Sequence, residues 1–214
     1  MARRTRSGWG LALIALVVIV GAGWLAWQQW GIRLPGKQAP AEDALVTLSG
    51  TLHAAAPARD TQLGLEADAL SLDRKVEMRQ WQETCAAGSC SYALVWSDVP
   101  IDSSRFREPE GHANPRLPFA SQRFIARDIR LDGHRVDPVL AVAGAASVPW
   151  PVDARQLRPN LVATFRIRDG VLFAAVDPEH PAAGDLRVSY SIVPAGQRSL
   201  SGVLEGDELR PAPR

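Results

Sequence analysis

Along residues 43–214, apolar and polar side chains alternate with a period of two, the spacing of a half-buried strand rather than of an amphipathic helix. Leu70, Leu72, Val76, Met78 and Gln80 fall on one face of an extended segment and Asp73, Lys75, Glu77 and Arg79 on the other, a pattern broken only by Arg74. Between Ala163 and Val176 the chain reads as a hairpin, Thr164–Arg168 and Val171–Ala174 joined by Asp169-Gly170. Asp-Gly supplies the positive φ values of a two-residue turn. Further strands are expected at Leu45–His53, Tyr92–Val99, Arg123–Leu131, Leu186–Val193 and Ser199–Leu204. Many prolines fall in Arg107–Pro118 and Val148–Pro159, which predicts two long loops without helices. The pattern as a whole predicts a mainly β fold, a sandwich or a barrel. Its core is fed by Leu70, Leu72, Val76, Met78, Phe165, Ile167, Val171, Phe173, Val188 and Tyr190. One self-similarity stands out, Thr47-Leu48-Ser49-Gly50-Thr51-Leu52 against Ser199-Leu200-Ser201-Gly202-Val203-Leu204, as paired equivalent strands would give.

The N-terminal region follows a different pattern. From Gly8 to Trp27 there is no charge, and about 20 residues of helix span ~30 Å, the thickness of a bilayer's hydrocarbon core. Arg3, Arg4 and Arg6 precede it, and Trp9 and Trp24, Trp27 and Trp30 mark its two ends. Positive charge stays in the cytoplasm and indole rings favour the headgroup layer. The apolar stretch is longer than the core of a cleavable signal peptide, and Trp24-Leu25-Ala26-Trp27 is too bulky for a cleavage site. The expected organisation is a cytoplasmic basic segment over 1–7, a single transmembrane helix over 8–30, a Pro/Gly-rich linker over 31–42 and an extracytoplasmic β-rich domain over 43–214. In a bacterium that domain faces the periplasm from the inner membrane.

Composition adds two constraints. The 24 basic and 23 acidic residues give a net charge of +1, but five basic residues and no acidic one precede residue 38. The body is therefore mildly acidic, which removes the basic face that nucleic-acid binding needs. The only two cysteines, Cys85 and Cys90, flank Gly88-Ser89 and are expected to pair in an oxidising compartment. So short a loop stabilises by only about 2 kcal/mol, and no second Cys/His pair follows to complete a metal site.

Three ordered blocks carry a resemblance. Val76-Glu77-Met78-Arg79-Gln80-Trp81-Gln82-Glu83, Gly111-His112-Ala113-Asn114-Pro115 and Gly184-Asp185-Leu186-Arg187-Val188-Ser189 are similar, in order and spacing, to the signature blocks of the transmembrane protein 43 (LUMA) family. Tyr92–Trp96, Ser103–Phe106 and Gly206–Leu209 resemble the stretches between and after them, so the likeness extends over about Leu70–Pro211. The resemblance implies a membrane protein with its large domain on the non-cytoplasmic side, associating with other membrane proteins and carrying no enzyme chemistry. Family members continue into further membrane helices, so the expectation here is a shortened, single-pass, bacterial-type member.

The residues themselves point to the same class. There is no G-x-S-x-G, G-x-x-x-x-G-K-[ST], H-E-x-x-H or G-x-G-x-x-G motif. His112, His134 and His180 sit in polar segments near Glu108, Glu110, Asp132, Asp137, Asp177 and Glu179, and converging loops would form a zinc-type ligand set, although their spacing does not require it. Glu77 and Glu83 are about 20 Å apart along a strand, too far to share one bond. No catalytic residue, metal ligand or cofactor is expected. The family-signature strand (Glu77, Met78, Gln80, Trp81, Glu83) is expected to be salt-bridged or solvated, and the turn-rich Gly111, His112, Asn114 and Pro115, with Gly184, Asp185 and Arg187, to be interaction loops for an envelope partner. The expected function is a membrane-anchored extracytoplasmic scaffold. The alternative is an envelope ligand binder or metal-dependent enzyme using the His and acid loops.

Overall fold

Period-two patterning is realised as fourteen strands within residues 44–213, the part of the chain that the computed structural model describes. In chain order they are β1 (Leu45–Ala54), β2 (Ala58–Asp60), β3 (Leu65–Ala67), β4 (Ser71–Ala86), β5 (Ser89–Ser97), β6 (Gln122–Ile125), β7 (Ile129–Leu131), β8 (His134–Val136), β9 (Val148–Pro149), β10 (Arg166–Arg168), β11 (Val171–Ala174), β12 (Leu186–Val193), β13 (Gly196–Glu205) and β14 (Glu208–Arg210). Two short helices, α1 (Pro138–Val142) and α2 (Pro159–Thr164), lie between them. The expected basic segment 1–7, membrane span 8–30 and linker 31–42 lie outside the described residues. Among the described residues no helix is long and apolar enough to cross a membrane.

β1, β13, β14, β8 and β7 close into a small barrel in which only β14 and β8 run parallel. The two similar hexamers are its wall: β1 and β13 pair antiparallel with Thr47 opposite Ser201, Leu48 opposite Leu200 and Ser49 opposite Ser199. On the outside the hydroxyls of Thr47 and Ser201, and of Ser49 and Ser199, bond across the strands at 2.7 Å. On the inside Gly50 and Gly202 are buried, and a Cβ on Gly202 would overlap the Arg210 carbonyl of β14. Glycine there permits the close approach that closing the wall needs.

The second sheet runs β10-β11-β12-β4-β5, with β6 also on β4 and β9 on β12. Its inner face, Leu72, Val76, Met78, Leu172, Leu186 and Val188, is buried. With Leu52, Ile129, Leu131 and Leu209 of the barrel, most of these residues form one continuous core. β4 is long enough to serve two neighbours in turn: residues 71–78 pair with β12 and residues 78–86 with β5. Arg74, which breaks the alternation of β4, points into this core. There its guanidinium meets Asp60 of β2 at 2.7 Å, both side chains essentially inaccessible. Asp60 also accepts the Tyr190 hydroxyl at 2.8 Å and the backbone N–H groups of Gln62 and Leu63. Burial, and then the neighbouring Asp60 carboxylate, push the Tyr190 hydroxyl far above its usual range.

Four expectations need correction. Val171 and Phe173 are only half-buried and Leu172 takes the core position. The Asp169-Gly170 turn, with φ of +48° and +74°, sets Arg168 opposite Val171 and Ile167 opposite Leu172, so Ile167 and Leu172 share the inner face. Ile167 itself is half-buried against the core. The strand expected at Arg123–Leu131 is two strands, broken at Ala126–Asp128 where Asp128 takes φ +50°. The proline-rich segment does hold helical turns: Asp153 and Gln156 form a capping box around Ala154–Gln156, and Pro159 opens α2, a place where proline's missing N–H costs nothing.

Candidate functional site

Beyond residue 78, β12 ends and β4 projects with β5 as a hairpin whose two strands face each other from Met78–Ser97 to Ala86–Ser89. Cys85 and Cys90 are directly opposite near the tip and are joined by a disulfide. Replacing both with Ser is expected to leave the fold intact and to cost about 2 kcal/mol of stability. A urea titration of the double variant checks this.

The three blocks of the sequence meet at the base of that hairpin. Where β12 stops, its last contacts are Arg79 N–H to the Asp185 carbonyl and Gly184 N–H to the Arg79 carbonyl, both 2.8 Å. The next outward position on that edge of β4 is Trp81. Asn114 occupies it with a side chain in place of a strand: the Trp81 N–H donates to Asn114 Oδ1 at 2.7 Å, and Asn114 Nδ2 donates to the carbonyls of Trp81 and Ile101. The edge is thus covered without a further strand. Pro115 lies against Gly184, whose φ of +94° favours glycine and where a Cβ would stand only 3.0 Å from the Pro115 ring. On the inner face the buried Gln80 amide holds the chain after β5, donating to the carbonyls of Ser97 and Val99 and accepting from Ile101 N–H.

His112 closes the loop from above. Its ring stacks on Tyr92 at 3.8 Å and meets the Trp81 ring edge-on at 4.9 Å. Nδ1 lies 3.0 Å from the Glu108 carbonyl, which only accepts, so Nδ1 carries the proton. The Tyr92 hydroxyl donates to Glu83 at 2.6 Å, and Glu83 also accepts Arg107 N–H. The Tyr92 bond, then the Arg107 bond, hold the Glu83 carboxyl below the usual carboxylate range, while burial and then Glu83 raise the Tyr92 hydroxyl.

On the outer face beside this loop lies a row of cations and aromatic rings. Arg187 of β12 forks onto Glu77 of β4, its cross-strand partner, at 2.7 and 3.0 Å. Arg187 also lies over the Trp96 ring at 4.8 Å, Arg79 lies over it at 5.8 Å, and Phe173 meets it edge-on. The Arg187 fork outweighs burial and lowers the Glu77 pKa. Its contribution is therefore complete above the ordinary value of 4.5 and is lost as pH falls through the lower folded value. Glu77→Gln is expected to cost about 1–3 kcal/mol near neutral pH and to flatten the loss of stability between pH 5 and 3, as read from urea midpoints.

Of the expected interaction loops, Asn114, Pro115, Gly184 and the Asp185 backbone are engaged in closing the edge, and Arg187 in pairing Glu77. Met78 and Gln80 are buried, and Gly111 is an exposed turn with φ +80°. The histidines do not converge: His134 starts strand β8 rather than lying in a loop, and the exposed His180 is bonded to Asp177 at 2.9 Å, which raises its pKa. Among the described residues the one grouping of three ligand-type side chains is Glu83, Cys85 and Cys90, and its two sulfurs are bonded to each other. Sequence reasoning missed Trp96, Phe173 and Arg79 as one outer patch. The signal was the parity of the Asp-Gly turn, which places Phe173 outward.

These features define a β-rich domain in which a small barrel carries an open sheet, with a loop clamped across the base of a projecting hairpin. No solved structure matches the chain. The chain belongs to the Transmembrane protein 43 family, whose model matches residues 73–213, a span that contains all three blocks. It is similar to a Transmembrane protein 43 homolog of Drosophila melanogaster, 23% identical over 245 positions covering 96% of this chain and 64% of that protein. It is also similar to Transmembrane protein 43 of Rattus norvegicus and of Homo sapiens, 26% and 27% identical over 162 positions, 70% of this chain and 40% of each relative. The chain thus spans between 40% and 64% of the length of these relatives.

Proposed function

We propose that this protein is a membrane-anchored scaffold that acts by binding rather than by catalysis, presenting the β-rich domain on the extracytoplasmic side to a partner within a membrane assembly. The observation that carries the reading is the outer patch. The solvent side of a sheet is ordinarily polar, yet here Trp96, Phe173, Arg79 and Arg187 are gathered on it, the residue types enriched at protein interfaces. The family name, which is that of a transmembrane protein, and the uncharged stretch Gly8–Trp27 after three arginines support the anchored topology. Anchoring raises the effective concentration of partners in the same membrane, so a small patch suffices. The scattered histidines give no geometry to the alternative of a metal-dependent enzyme.

Topology is tested with a reporter active only outside the cytoplasm, fused after Arg214. Activity that stays with the membranes after a high-salt wash is expected, and activity confined to a cytoplasmic reporter contradicts the reading. The binding claim is tested at Trp96 as described in the Discussion.

A further inference from the structure

The opposite edge of the hairpin is open. Arg79 and Trp81 direct their backbone groups toward β12 and Asn114, so the alternate residues Met78, Gln80, Gln82 and Thr84 of β4 face β5, where Ser97, Val95, Ala93 and Ser91 receive them. By alternation, Tyr92, Leu94 and Trp96 turn their N–H and C=O groups outward, away from β4. Among the described residues no strand pairs with that edge and no hydrogen bond engages those backbone groups. Edge strands are usually defended by charge, proline or a bulge. The strand Ser-Cys-Ser-Tyr-Ala-Leu-Val-Trp-Ser contains no charge and no proline, and its ladder with β4 runs without a bulge.

We propose that β5 pairs antiparallel with β5 of a second copy of this chain, across a twofold axis at Leu94. The strand is suited to itself. Rotation about Leu94 sets Tyr92 opposite Trp96 of the second copy and Leu94 opposite Leu94, giving about six main-chain hydrogen bonds and two aromatic cross-strand pairs. With no charge on the strand, self-pairing brings no like charges together. The flanking row on β4 is complementary too. Arg79 stands opposite Trp96 and Glu83 opposite Tyr92, so the rotation places the cation of one copy in the same row as the acid of the other. Arg79 leans over Trp96 toward this edge, has no carboxylate partner among the described residues, and its buried Nε has no hydrogen bond. The loop that clamps the hairpin approaches through the Tyr92 ring and the Trp81 edge, leaving the outer edge of β5 clear.

The test uses the full chain reconstituted in lipid vesicles. Facing α-carbons in a hydrogen-bonded antiparallel pair lie about 5.5 Å apart, within disulfide range. Leu94→Cys is therefore expected to give an oxidised dimer in at least about tenfold greater yield than Gln82→Cys, which lies one strand inside. Equal yields, or none, overturn the proposal. A second variant guards against misfolding by the first. Leu94→Pro removes a donor that points away from β4, so the ladder to β4 survives. In wild type the Tyr92, Leu94 and Trp96 amides are expected to resist hydrogen exchange. In Leu94→Pro those of Tyr92 and Trp96 should exchange about tenfold faster or more, while Ala93 and Val95 stay protected. Protection of these amides that appears only when another protein is added identifies a foreign strand and overturns pairing with a second copy.

Discussion

Asp60→Ala is expected to lower the stability of the β-rich domain by about 3–5 kcal/mol, the cost of leaving a buried charge without its partner. For a domain of this size that is a fall in melting temperature of roughly 10 °C. Asp60 serves four donors at once, the Arg74 guanidinium, the Tyr190 hydroxyl and the N–H groups of Gln62 and Leu63. Arg74 retains the Ala120 carbonyl, the Gln62 side chain and the faces of Phe119 and Phe124, but none of these carries a negative charge. Removing both charges behaves differently. In Asp60→Leu/Arg74→Met the buried charge is gone and apolar volume replaces it, so the double variant is expected to be more stable than Asp60→Ala, as read from denaturant midpoints. A double variant as unstable as the single one contradicts this account of the cluster.

Asn114→Ala is expected to cost about 2–4 kcal/mol and to release the loop from the hairpin base. One amide satisfies the N–H and C=O of Trp81 and the C=O of Ile101, and each group left unpaired costs about 1–3 kcal/mol where water does not reach it. Asn114→Asp separates the two halves of the clamp, because a carboxylate accepts from Trp81 N–H but cannot donate to either carbonyl. It should fall between wild type and Asn114→Ala. Hydrogen exchange at Trp81 reports the release directly: its amide speeds up in the Ala variant and stays protected in the Asp variant. Because the loop also carries His112 onto Tyr92, the Ala variant should loosen that stack while the Asp60–Arg74 cluster remains intact.

The alternation of β4, the limits of β12 and the Asp-Gly hairpin were legible in the sequence because each is a local property of side-chain spacing and turn chemistry. The break at Arg74 was visible too, but its cause was not, since Asp60 lies on a short strand whose pattern covers only three residues. The same limit hid β14 and the parallel β14–β8 contact that closes the barrel, which depend on a long-range pairing. The three family blocks could be picked out, and the salt bridge of Glu77 with them, but not that Asn114, Pro115 and Gly184 close the edge of β4. Gly, Asn and Pro in a run signal a turn, and nothing local distinguishes a turn that faces solvent from one whose amide completes a sheet edge. The outer patch was lost by one step of parity at Val171–Phe173.

A partner bound at the outer patch would lie within reach of a cross-linker placed beside Phe173. A photoreactive residue at exposed Arg166, which faces Phe173 across the hairpin, gives the most direct measurement when irradiated in native membranes with Trp96 either kept or replaced by Ala. A discrete cross-linked species containing another membrane protein is expected, reduced about tenfold or more by Trp96→Ala in protein that keeps its circular-dichroism spectrum. A cross-linking pattern unchanged by Trp96→Ala, or no cross-linked species at all, would contradict binding at this patch.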